Sequence, residues 1–116
     1  MGVNQLIADR VAWRRRNVRH HYVGGLWGGE GVLRFVGRQP GTGIEVSLCV
    51  PLHEIEHVGL SGSPDETVVG GPCVVLELAD KEAIYLREIV PGGASPQYLA
   101  ARLDRLFCRP VAAAAF

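Results

Sequence analysis

The sequence predicts a mainly β (α+β) domain: a small antiparallel barrel or sandwich of about six or seven strands, closed by one amphipathic C-terminal helix. Three observations carry this. "IEVSLCVPL" places Ile44, Val46, Leu48 and Val50 in strict alternation with Glu45, Ser47 and Cys49, the period of a strand with one buried face. Glycine-rich punctuation cuts the neighbouring apolar runs into short pieces, as hairpins require. Near the end, Ser95 and Pro96 open a segment whose Leu99, Leu103 and Leu106 fall on one helical face.

Taken in order, Asn4 to about Arg16 favours a helix, with Asn4 as N-cap and Leu6, Ile7 and Val11 as its apolar residues. Residues 1–21 therefore form an N-terminal helical, basic segment ahead of the β domain. "VRHHYVGGLWGGEGVLRFVGRQPGTG" gives short strands joined by tight turns. "GRQPGTG" is a hairpin loop, so the strand from Gly31 to Val36 pairs antiparallel with the alternating strand after it. "SGSPDETVVGGP" is a polar surface loop or short edge segment. In "CVVLELADKEAIYLREI" Val74, Leu76 and Leu78 share a face, Ala79 to Lys81 turn the chain, and Ile84 and Leu86 point inward on the return. The helix from Ser95 lays its leucine stripe on the sheet and stops at Pro110, leaving 109–116 as a tail.

Composition sets limits on function. The 116 residues suit one core; 47% are hydrophobic and 21% charged, and no apolar run approaches the ~18 residues that cross a bilayer. The charges of "MGVNQLIADRVAWRRR" follow its apolar residues, the reverse of a signal peptide, so the expected location is cytoplasmic. Cys49, Cys73 and Cys108 are odd in number and widely spaced, which argues against a disulfide framework or a cysteine metal site and for reduced thiols. Net charge is zero but unevenly spread. Residues 1–38 hold seven arginines against Asp9 and Glu30 (+5), and the remainder is correspondingly acidic (−5), so the halves attract each other within or between chains.

"GVLRFVGRQPGTGIEVSLCVPLHEIEHVGL" resembles a stretch of bacterial pleckstrin-homology-like (PH-like) and GRAM-type domains. There a strand opening on glycine precedes one ending in proline, and an isoleucine and a valine begin the next; here these are Gly31, Pro51, Ile55 and Val58. The later hairpin and the helix from Ser95 resemble the same family, so the likeness covers roughly residues 22–108. It implies a PH-like barrel, on which lipid-headgroup sites, peptide sites and assembly surfaces all occur, and function has to be argued from a site.

Three motifs compete for that role. His53, Glu54 and His57 spell H-E-x-x-H, which on a helix would hold zinc with two imidazoles one turn apart while the glutamate activates water. Pro51 and Gly59 confine any helix here to barely two turns, the further ligand positions hold Leu60 and Ser63, and Glu77 sits on a strand; the string reads as a turn and strand start with no metal favoured. Trp13, Arg14, Arg15, Arg16 and Arg19, with Arg34 and Arg38 in the first hairpin, form the anion, lipid or partner-binding candidate, on an anionic surface at the inner membrane face. Its alternative is a solvated helix end, or docking onto the acidic half of a neighbouring chain. Nucleic acid is disfavoured by the zero net charge and the lack of an aromatic stacking platform. "GGLWGGEG" lacks the Gly-Lys-Ser/Thr of a phosphate loop and reads as turn glycines around Trp27; Cys49 has no base to make it a nucleophile. The expectation is a non-enzymatic binding or assembly module without cofactor, associating with protein, self first, through sheet edges and the N-terminal segment. A zinc hydrolase and a peripheral membrane binder are its rivals.

Overall fold

Alternation dominates the folded chain. The computed structural model describes residues 5–93 and 95–114, with side chains through Leu106. Seven strands form one antiparallel sheet: β1 (Gln5–Arg15), β2 (Tyr22–Gly29), β3 (Val32–Arg38), β4 (Glu45–Pro51), β5 (Ile55–Leu60), then β8 (Val74–Leu78) and β9 (Ala83–Glu88). Two short strands, β6 (Thr67–Val68) and β7 (Gly71–Pro72), pair apart from it, and α1 (Pro96–Ala114) ends the chain. The order across the sheet is β4-β3-β2-β1-β9-β8-β5.

That order forces the sheet to curl. Flat, seven strands would separate β4 from β5 by roughly 29 Å at ~4.8 Å per strand spacing. Only Leu52–Glu54, a single 3₁₀ turn, joins them, and so short a link reaches about 14 Å. The two edges are therefore drawn toward each other around one core. Leu26, Leu33, Phe35, Leu76, Ile84 and Leu86 fill its interior, and α1 adds Leu99 and Leu103 with Leu106 beside them. Ser95 caps the helix, its Oγ accepting from the Gln97 N–H and its carbonyl from the Tyr98 N–H.

A second, smaller cluster lies on the outer face. There the β6–β7 excursion drops Val68 onto Ala12, Cys73, Val75, Ala83 and Tyr85. Left-handed backbone falls on non-glycine residues in three turns: Glu30 (φ 55°), followed by Gly31 (φ 79°), between β2 and β3, Val69 (φ 53°), followed by Gly70 (φ 70°), between β6 and β7, and Lys81 (φ 69°) between β8 and β9. Arg87 donates to the Val69 carbonyl at 2.9 Å and steadies the β-branched residue there.

Three expectations need correction. Residues 5–15 are not helical: they form the central strand β1, between β2 and β9, so the N-terminal segment belongs to the β domain rather than preceding it. Asn4, its expected cap, lies outside the described residues. The helix passes Pro110 and runs to Ala114, through an alanine run of the highest helix propensity, so most of 109–116 is helix rather than tail. Ile44, expected inward, is 56% exposed, because it precedes an edge strand with a neighbour on one side only. Gly31 lies in the turn before β3, Pro51 ends β4, Ile55 opens β5 and Val58 lies within it.

Candidate functional site

The basic cluster is dispersed by strand alternation. Trp13 points into the core at 2% exposure, its ring 5.2 Å from that of Phe35, and its indole N–H has no hydrogen-bond partner among the described residues. Arg14 points the opposite way, lies 4.8 Å over the Tyr85 ring, and donates to the carbonyls of Thr67 (2.8 Å) and Val18 (3.0 Å). Arg16 donates to the Tyr85 hydroxyl at 3.2 Å and approaches Glu66 (3.9 Å) and Glu77 (4.0 Å). The Tyr85 hydrogen bond pushes the Arg16 pKa upward, so its charge is fixed. Arg14 and Arg16 thus tie β1 to the β6–β7 excursion. Arg38 pairs with Glu45 at 2.8 Å across β3 and β4, both exposed. Arg15, Arg19 and Arg34 are exposed; Arg15 lines a pocket with Leu48, Cys49 and Val50, and Arg34 lies opposite Cys49 in the β3–β4 ladder, while Trp13 is withdrawn into the core, so the seven candidates do not act as one patch.

The H-E-x-x-H string falls on a turn and a strand. His53 and Glu54 lie in the 3₁₀ turn and His57 in β5, so the one-turn helical spacing that aims two imidazoles at one metal is missing. The His57 Nδ1 is 3.6 Å from a Glu77 carboxylate oxygen on the neighbouring β8, both exposed. Among the described residues no three His, Cys, Asp or Glu side chains converge as metal ligands. Burial raises the pKa of the Cys73 thiol, opposed by its hydrogen bond with Ser61 at 3.3 Å; Cys49 is exposed on β4. The Cys108 side chain lies outside those described.

Trp27 occupies the outer face of β2, half-buried, lying over Gly25, where a Cβ would collide with the indole. Leu6 and Arg34 are its cross-strand neighbours.

What the fold does leave open is the edge of β4. The register pairs Val32 with Pro51 through Arg38 with Glu45, and Leu52 N–H donates to Gly31 O (2.8 Å) while Gln39 N–H donates to Ile44 O (2.8 Å). Hydrogen-bonded pairs recur at every second residue of an antiparallel ladder. Ile44, Val46, Leu48 and Val50 therefore bond to β3, and the amides of Glu45, Ser47 and Cys49 point away from the sheet. Pro51 has no N–H to offer there. One carboxylate, Glu45, is the strand's only charge, and it is already engaged by Arg38. Val46 and Leu48 are half-buried on one face, and Val36 at 46% exposure borders the other. A groove of about 600 Å³ touches Val36, Arg38, Glu45, Val46 and Ser47 at the strand's start.

The other edge strand is managed differently. β5 carries Glu56 and His57 and packs beside α1 through Ile55 and Val58 in the core cluster. The β4 amides were missed in the sequence because backbone donors leave no letter, although an alternating strand with no charge in its centre was visible. No helix among the described residues is long and apolar enough to cross a membrane. No family model, curated protein or solved structure matches the chain.

Proposed function

We propose that this chain is a non-enzymatic association module on a PH-like scaffold, joining polypeptide chains, its own first, by strand addition at β4. The curled antiparallel sheet, the helix packed on its core, and the positions of Gly31, Pro51, Ile55 and Val58 support the scaffold. One observation carries the function: a seven-residue edge strand with three outward amides and no charge between Glu45 and Pro51. Such an edge is a template for another strand unless it is blunted by charge, proline or a cover, and β4 has proline only at its end.

The rival readings lose their geometry. A zinc hydrolase needs His53 and His57 on one helical face, and they sit on a turn and a strand. A membrane surface would be met by Trp13, and that indole is in the core.

The test is sedimentation velocity of the wild type and of Ser47→Pro. This substitution removes an outward N–H and no β3–β4 hydrogen bond. The reading expects wild-type species at multiples of 12.5 kDa that collapse to monomer in Ser47→Pro. A wild type that stays monomeric at high concentration, or a variant that associates equally well, overturns it.

A further inference from the structure

We infer that the occupant of the β4 edge is β4 of a second copy, in one antiparallel register with the two-fold axis at Leu48. This rests on the association reading above and fixes its partner and geometry. A two-fold strand pair must set outward-pointing residues opposite outward-pointing residues, because only these exchange hydrogen bonds across the new ladder. The outward set here is Glu45, Ser47 and Cys49, with the Pro51 carbonyl as an added acceptor.

Centring the axis on Leu48 pairs Ser47 with Cys49 and Glu45 with Pro51, so every outward amide finds a carbonyl and both strands overlap along their whole length. The same register sets Leu48 against Leu48, Val46 against Val50, and exposed Ile44 against Leu52. Each apolar residue on that face then meets an apolar partner. A two-residue slip keeps the hydrogen-bond phase but sets Leu52 opposite Thr42, leaving an apolar side chain against a polar loop. A one-residue slip sets outward residues against those already bonded to β3, and no ladder forms. An unrelated extended peptide satisfies the amides but has no reason to reproduce the in-phase apolar face, so the favoured occupant is the strand's own copy.

Leu48 bonds to β3, so in the new ladder the two Leu48 residues form a non-hydrogen-bonded pair with Cα atoms about 4.5 Å apart, within disulfide range. The experiment uses the full chain with Cys49→Ser as baseline and adds Leu48→Cys or Val46→Cys, each mildly oxidised and resolved on a non-reducing gel. Sedimentation of the reduced proteins runs alongside. The inference expects Leu48→Cys to give covalent dimer at least about five-fold above baseline, while Val46→Cys, facing Val50, stays near it.

If the reduced variant is dimeric, Ser47→Pro still disrupts the dimer, and Leu48→Cys gives no cross-link, the register is overturned and the edge reading survives. Equal cross-linking of Val46→Cys and Leu48→Cys also overturns the register, because it reports random collision. If the baseline chain is monomeric throughout, register and self-association fall together.

Discussion

Trp13 shows how much a single position is fixed by the direction of its side chain. Beside three arginines its indole looked like an interfacial anchor, yet strand alternation turns it into the core and sends Arg14 to the outer face. The buried ring contributes by area and by its tilted contact with Phe35, while the unpartnered N–H subtracts from that contribution. The two effects separate by substitution. Trp13→Ala, which leaves a cavity, should cost about 3–5 kcal/mol, whereas Trp13→Phe, which removes the orphan donor along with part of the ring, should cost less than half as much. Urea unfolding of both variants with unchanged m-values checks this. Equal losses would mean that the indole N–H makes a hydrogen bond and that this bond, rather than ring volume, decides.

At the scale of elements, β4 allows a paired prediction from its hydrogen-bond phase. Val46→Pro removes an amide bonded to β3 and should lower stability by about 2 kcal/mol or more, while Ser47→Pro, one residue on, should leave the isolated fold within about 1 kcal/mol of wild type. Thermal unfolding of both at a concentration where the chain is monomeric separates them, and the reverse ranking would show the assigned phase to be wrong. Elements with an undisturbed period were legible in the sequence: β3, β4, the β8–β9 hairpin and the leucine stripe of α1. β1 was not, for a physical reason. Its ladder with β2 shifts register between Leu6 and Ala8 and again between Ala8 and Val11, so its alternation breaks and Ile7 and Val11 fall at helical spacing. The candidate site was half legible: the alternation of Ile44 to Val50 was readable, but which amides face outward depends on a pairing register that letters do not encode.

Two modes of contact compete for the proposed self-association, and they differ at the scale of the whole molecule. A chain with a +5 half and a −5 half invites electrostatic head-to-tail association, but the fold uses much of that asymmetry internally. Arg16 approaches Glu66 and Glu77 of the acidic half, and Arg14 is engaged by carbonyls and the Tyr85 ring. What β4 itself offers is a strip of amides with uncharged side chains between Glu45, which pairs with Arg38, and Pro51; Arg15 and Arg34 stand beside Cys49. Surface charge attraction is screened over a Debye length that shrinks from roughly 14 Å at 50 mM salt to about 4 Å at 500 mM, whereas backbone pairing and apolar burial are not screened. The dimer dissociation constant, followed by sedimentation equilibrium, should therefore change by less than about three-fold between those salt concentrations. Weakening by ten-fold or more would place the contact on the charged halves rather than on β4. Dimers that survive salt but not Ser47→Pro would place it on the backbone edge.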